Sequence, residues 1–401
     1  MIGIKEITEA REVIRGKILK TPLIYSETLS RMFECEIFLK LENQQETGSF
    51  KIRGALYKLM KRAEEIGPRG VVAASGGNHA QGVARAAAQA GIPATVVMPA
   101  WASITKQEAT RSYGCEVIIS GNSIEDSLKK ARELADQGRT FIHPFDDEDV
   151  ISGQGTIALE ILEDLTELDT VLVPVGGGGL VSGISTVFKS IRPKTRIVGI
   201  QAENCPSAHQ ALNEGKVTSV ESRRSMADGI NVKRIGNLNF ELMKKYVDEI
   251  ALVDEEHIAE AILLLLERKK ILAEGAGAVP LAAMLSGAVS APRGSRVVLI
   301  ISGGNLDSPL LGRIIDQGLV KKGRIVRVWV YLDDTPGSLA RLLDSVARLE
   351  ANVLHIHHDR HIRDAPLNVT RVELELETRS PEHITEIDNV LKKEGYLVEK
   401  K

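Results

Sequence analysis

The most reactive arrangement in this chain is a lysine at a helix start beside an aromatic ring, Ser49-Phe50-Lys51-Ile52-Arg53-Gly54-Ala55. Thr47-Gly48-Ser49 reads as a turn ending in a helix N-cap, and Ile52, Leu56, Leu59 and Met60 have helical apolar spacing, so Lys51 falls in the first helical turn. There the positive end of the helix dipole and partial desolvation both disfavour an ammonium. The free amine becomes a better nucleophile and base, as condensation with a carbonyl requires. Three other segments share one design, an apolar strand run entering a glycine turn. Val71-Val72-Ala73-Ala74 leads into Ser75-Gly76-Gly77-Asn78-His79, whose collected backbone N–H groups suit a carboxylate. The run from Asp169 to Val175 leads into Gly176, Gly177, Gly178 and Gly179, followed by Leu180. With no Cβ atoms in the way, successive N–H groups there can wrap a phosphate. Val297 to Ile301 leads into Ser302-Gly303-Gly304-Asn305. Taken singly, each is also an ordinary α/β turn, Asn78 is also a cap and Phe50 is also a core aromatic.

The glycine run is not a dinucleotide fingerprint, because Val181 or Ser182 falls where the third glycine of G-x-G-x-x-G belongs. Glu203 lies further along than the usual ribose-binding acid, and the chain has no G-x-x-x-x-G-K-[ST] loop.

These segments, with His143-Pro144-Phe145-Asp146-Asp147, the stretch Gly153-Gln154-Gly155-Thr156 and Ala273-Glu274-Gly275-Ala276-Gly277-Ala278, resemble the serine/threonine dehydratase family of pyridoxal-phosphate enzymes. The resemblance runs from about Thr21 to Ile315, with the motifs in the family's order. It implies an α/β protein of fold type II, similar to tryptophan synthase β, with two open α/β subdomains. The catalytic part is expected over 1–320, with a smaller subdomain inserted at about 44–149. It implies that Lys51 holds pyridoxal phosphate as an imine, that Phe50 packs on or beside the ring, and that Asn78 bonds the ring's 3′-oxygen. Gly176 to Gly179 with Leu180 would hold the phosphate, and Ser302 would meet the ring nitrogen. A neutral hydroxyl there leaves the ring a weaker electron sink, which suits β-elimination. Ser75, Gly76, Gly77, Asn78 and His79 would take the substrate carboxylate, and Lys51 would remove the Cα proton. The implied reaction converts L-threonine to 2-oxobutanoate and ammonia, and L-serine to pyruvate. Glu203 matches a carboxylate that binds a monovalent or divalent cation in some relatives, although His209 stands where those relatives place an aspartate. A racemase of the same fold needs a second acid/base, supplied in eukaryotic serine racemases by a serine aligned with Gly76. Gly76 has no side chain, which favours elimination.

Elements able to position these residues follow from the rest of the chain. Its 401 residues, 43% hydrophobic, allow a substantial core and more than one domain. A net charge of −3 gives no electrostatic case for nucleic acid or an anionic membrane. There is no apolar run resembling a signal peptide or a membrane span, and Cys35, Cys115 and Cys205 lack metal or redox spacing, so the cytosol is the expected address. Strand and helix patterns alternate from about Cys35 to Asn305, with further short strands at 95–99 and 116–119. That is the mark of largely parallel open sheets with ligands at the carboxyl ends of strands.

After a connecting stretch from Asp316 to Gly323 the pattern changes. Val326, Val328, Val330 and Leu332 alternate, helical spacing follows at Leu339, Leu342, Leu343 and Val346, and a strand passes through Leu354 and Ile356. Val372, Leu374 and Leu376, a helix with Ile384, Ile387 and Leu391, and a last strand near 396–398 complete a ferredoxin-like βαββαβ module over 325–401. Asp334-Thr335-Pro336-Gly337-Ser338-Leu339 resembles the effector turn of ACT domains, small amino-acid sensors. Asp334, Pro336, Gly337 and Leu339 are the implied effector contacts, with Pro336 at the first helical position and isoleucine or valine as ligand. A plain helix start is the competing reading. His355, His357, His358 and His361 lack the spacing of a metal site and read as a surface. The resemblance further implies a homodimer or homotetramer. A non-catalytic amino-acid-binding regulator would leave Lys51 and the glycine turns unexplained. Threonine against serine, and biosynthetic against catabolic use, stay open.

Overall fold

In a computed structural model the chain is described at residues 2–360, 366 and 368–400; His361 lies outside them. It forms two compact units, Met1–Asp307 and Ser308–Lys401.

The first unit contains two sheets. The larger has six strands in the order Leu23–Tyr25, Glu36–Leu41, Arg296–Ile301, Thr170–Pro174, Arg196–Ala202, Glu249–Val253, all parallel except the antiparallel edge Leu23–Tyr25. The smaller is parallel, in the order Glu116–Ile119, Ala94–Met98, Val71–Ala74, Thr140–Phe141. Thr170–Pro174 and Val71–Ala74 are buried throughout, as apolar strands covered on both faces must be.

Glycines set how closely the helices pack. In the helix Glu148–Asp164, a Cβ at Gly153 would lie 2.6 Å from the Gly54 Cα on the helix Lys51–Lys61. On its other side, a Cβ at Gly183 in the helix Gly179–Ile191 would lie 2.5 Å from the Ile151 carbonyl. The Gly153-Gln154-Gly155 motif is therefore a packing device that lets this helix touch two neighbours backbone to backbone. Gly82 does the same for the Ala-rich helix Asn78–Ala90, where a Cβ would sit 3.0 Å from the Lys51 carbonyl carbon.

Beneath Lys51 lies a buried ionic cluster. Arg53, fully buried, donates from Nε to Glu42 at 2.8 Å and from Nη1 to Glu160 at 2.6 Å, while Lys40 donates to Glu160 at 2.6 Å. Two cations meet two carboxylates, so the cluster carries no net charge. Its bidentate geometry answers the desolvation that such burial costs.

The second unit begins with the helix Ser308–Lys321. The expected connecting stretch is thus helical, with Leu311, Ile314, Ile315 and Leu319 at helical spacing and Ile314 buried. An antiparallel sheet follows, ordered Asn352–Asp359, Val369–Glu377, Ile325–Asp333, Leu397–Lys400. Helices Ser338–Arg348 and Pro381–Lys393 contribute Leu342, Val346, Ile387 and Leu391 to a core with Val328, Val330, Leu332, Val372, Leu374 and Leu376. The other face is polar, with Arg371 4.8 Å above the Trp329 ring and Trp329 donating to Glu373 at 3.1 Å. Along Asn352–Asp359 the register shifts between Val353 and His355, so Leu354 sits at the irregularity and is exposed; Ile356 pairs with core residue Leu374 and is exposed on this edge strand. His355 and His357 pair with Glu375 and Glu373 on the polar face.

Candidate active site

Lys51 is the first residue of the helix Lys51–Lys61. The N-cap is Phe50 rather than Ser49, and no side chain caps this helix. Ser49 is instead pulled into an antiparallel bridge with Gly303, and Phe50 N donates to the Ser302 carbonyl at 3.1 Å. Tertiary pairing thus overrides the local cap preference, and it joins the lysine segment to the Ser302 turn. Packed round by protein, the Lys51 ammonium is disfavoured and its pKa falls to about 8, with Glu274 pulling the other way. Its Nζ donates to the Pro144 carbonyl at 2.9 Å and lies 5.1 Å from the Phe50 ring centroid.

Phe145, next to that carbonyl, carries the connection to the glycine run. A Cβ at Gly177 would run into the Phe145 ring, and one at Gly179 would lie 2.9 Å from the Phe145 carbonyl. Gly178 has φ +100° with Asn239 against it, while a Cβ at Gly176 would lie 3.1 Å from the Ile230 Cα. Close packing therefore demands a glycine at 177, 178 and 179, and leaves a Cβ at 176 little room, before any ligand is considered. No side chain caps the helix Gly179–Ile191 and its first turn has no acid, which leaves N–H donors for an anion. Leu180 is buried in the core, so only its backbone can serve. Both the cradle and the lysine fit a phosphate-bearing aldehyde such as pyridoxal phosphate.

In the Ser75–His79 turn, Ser75 Oγ accepts from Gly77 N at 3.1 Å, and the helix from Asn78 has no side-chain cap. A Cβ at Gly76 would come 3.2 Å from the exposed Trp101 ring. His79 turns inward, with Nε2 3.0 Å from the Ile142 carbonyl and its pKa pushed down to about 3 by burial. Its neutral ring belongs to the core, and only its backbone remains for a ligand. Asn78 joins the two remaining turns: its Nδ2 donates to Glu274 at 2.6 Å and its Oδ1 accepts from Asn305 at 2.7 Å. Ser302 is buried beside them.

Lys51, Phe50, Asn78, the Ser75–Gly77 turn, Gly176–Gly179 and Ser302 thus come together. Glu274, Asn305, Pro144 and Phe145 carry no role at the sequence level although they lie inside the quoted motifs. Their partners are remote in the chain, so only the motif context could have marked them. Glu203 stands apart. It is exposed, and among the described residues no group of three or more His, Cys, Asp or Glu side chains could hold a metal. His209 is engaged with Asn213 on its own helix. In the second unit, Gly337 (φ +87°) precedes the helix Ser338–Arg348, so Pro336 lies before the helix and not at its first position. Asp334 N donates to the Asn368 carbonyl at 2.8 Å, and Leu339 packs against the local core.

Comparison with known proteins agrees with this geometry. The family model described as "Pyridoxal-phosphate dependent enzyme" matches residues 14–303. The chain is 49% identical to the L-threonine ammonia-lyase of Thermotoga maritima over 99% of each. Among solved structures it is similar to maize serine racemase (TM-score 0.75, 34% identity, 80% of this chain and 98% of that one). It is also similar to the processed form of a threonine deaminase from Solanum lycopersicum (TM-score 0.73, 32% identity, 78% of this chain and 91% of that one).

Proposed function

The chain belongs to the pyridoxal-phosphate dependent enzyme family, and from that premise we propose that it deaminates L-threonine, and L-serine more broadly, by β-elimination. Lys51 carries the reading: a helix-start lysine with its pKa lowered to about 8 and its Nζ held by the Pro144 carbonyl. The bound cofactor supplies the electron sink that acidifies the substrate Cα–H. Gly176 to Gly179 and the Leu180 N–H would hold its phosphate, with Phe50 and Ser302 at the ring. Backbone N–H groups of the Ser75–His79 turn receive the substrate carboxylate and orient the Cα–H toward Lys51. A Lys51 amine freed by exchange takes that proton, and the β-hydroxyl departs with a proton as water. The released enamine tautomerises and hydrolyses, giving 2-oxobutanoate and ammonia from threonine. One water leaves and one enters.

Gly76 supports elimination over racemisation, since no side chain there can reprotonate the opposite face. The deciding assay follows keto acid from L-threonine and L-serine together with chiral analysis of residual serine. Keto acid should dominate; D-serine appearing as fast as pyruvate would falsify the elimination reading. The βαββαβ architecture of the second unit supports an ACT-type sensor for isoleucine or valine, and with it a role in isoleucine formation rather than threonine breakdown. A two- or four-chain assembly belongs to the same reading and is checked by light scattering.

A further inference from the structure

Glu274 begins the helix Gly275–Leu285, yet its side chain does not cap that helix. The residue is 5% exposed, and its carboxyl is turned to Asn78. Glycines keep the space around it clear: a Cβ at Gly303 would collide with Oε1, and one at Gly229 would stand 3.6 Å away.

The direction of every hydrogen bond here is set by one backbone carbonyl. Asn305 Nδ2 donates to the Thr47 carbonyl at 2.9 Å, and a carbonyl can only accept, so the nitrogen end of the Asn305 amide is fixed. Its second N–H goes to Asn78 Oδ1 at 2.7 Å, which fixes the oxygen end of the Asn78 amide. Asn78 must then present nitrogen on the other side, and one of its two N–H groups goes to Glu274 Oε1 at 2.6 Å. An amide is nearly symmetric in shape, so without such partners it could flip end for end. Here both ends are assigned, and one N–H is left over.

We propose that Glu274 is a positioning residue: with Asn305 it locks the Asn78 amide so that its remaining N–H is offered to an oxygen of the bound cofactor. This rests on the function proposed above, in which Asn78 faces the ring oxygen of pyridoxal phosphate. An N–H donor at that oxygen favours its deprotonated, accepting form and so tunes the absorption of the ring. The charged groups around the carboxyl are Asp228, which opposes its ionisation, and Lys106 and Lys51, which favour it; burial outweighs both. Oε1 can accept from Asn78 whether or not the other oxygen carries a proton.

The test reads cofactor binding and spectrum in the full chain rather than turnover. Wild type, Glu274→Ala, Glu274→Gln, Asn305→Ala and the double alanine variant are titrated with pyridoxal phosphate, recording Kd and the visible band. Near-UV circular dichroism and thermal unfolding check that each is folded. Glu274→Ala should move the band and weaken binding about tenfold, the scale of one hydrogen bond to a charged group. Glu274→Gln, whose amide oxygen still accepts from Asn78, should restore both. Asn305→Ala should move the band in the same direction, and the double variant should lose little more than either single one, because both act through one amide. A wild-type band and Kd in either folded alanine variant, or losses that simply add, overturn the assignment. If Glu274→Ala does not fold, Asn305→Ala and Glu274→Gln decide on the same criteria. A wild type that takes up no pyridoxal phosphate would instead sink the proposed function, which keeps the two failures apart.

Discussion

At the scale of single residues, half-buried Lys51 and buried Glu274 are two groups whose charges the fold opposes. Lys51→Ala should lower keto-acid production at least about 100-fold, the lower end for removing a positioned proton-transfer group. Full activity in that variant would remove Lys51 from the chemistry. With its pKa near 8, the amine should take up pyridoxal phosphate faster as pH rises, about tenfold per unit below 8 and level above, in stopped-flow absorbance. Stability follows the same groups. The pKa of Lys51 is lower in the folded apo chain than its ordinary 10.5, so between about 8 and 10.5 the unfolded chain binds more protons and stability rises with pH. Glu274 is an acid raised from 4.5 to about 7 by burial, so its folded form binds more protons across that window. The stability that this one group contributes is fully present below 4.5 and is lost as pH climbs through 7. In chemical denaturation from pH 4.5 to 7, the stability of wild type relative to Glu274→Gln should fall as pH rises.

At the scale of elements, the helix bearing Lys51 is held by backbone contact on one side and by buried charge on the other. Gly153→Ala forces a Cβ to 2.6 Å from Gly54, so overpacking should cost about 1–3 kcal/mol in urea unfolding. Arg53→Met takes the cation from buried Glu42 and leaves Glu160 with Lys40 alone, and should cost more, about 3–5 kcal/mol. An Arg53→Met protein as stable as wild type would show that water or rearrangement satisfies those carboxylates. Both changes should also reduce turnover beyond their effect on folding, because the helix start that they support places the amine against Pro144.

At the scale of the molecule, the division at Asp307/Ser308 frames regulation. A chain ending at Asp307 should keep threonine turnover and lose any response to isoleucine or valine, whereas the full chain should respond. A coupling of about 1–3 kcal/mol would shift the threonine half-saturation by roughly 5–150-fold, readily seen in saturation curves. Gly337→Val should uncouple the response with Lys51 untouched, since a β-branched residue is strained at φ +87° and the turn before the helix would have to open. Identical curves for full and shortened chains with each branched-chain amino acid would recast the second unit as an assembly surface.

The sequence by itself determined the strands and the turns that end them, because apolar runs closed by glycine are local signals: Val71–Ala74, Glu116–Ile119 and the alternation in Val369–Glu377 fall where their patterns place them. It also marked Lys51, Asn78 and the glycine run, whose residue types are chemically unusual in those places. Only the tertiary structure decided the rest. Phe50 rather than Ser49 caps the lysine helix because Ser49 pairs with Gly303, more than 250 residues away. Leu354 is exposed where the register shifts, and the His79 ring, though not its backbone, turns from the site to the Ile142 carbonyl. The Arg53 cluster and the Thr47–Asn305–Asn78–Glu274 chain are invisible to periodicity, since each links residues far apart in sequence. Hydrogen-bond direction and desolvation belong to partners in space, and a linear pattern does not encode who those partners are.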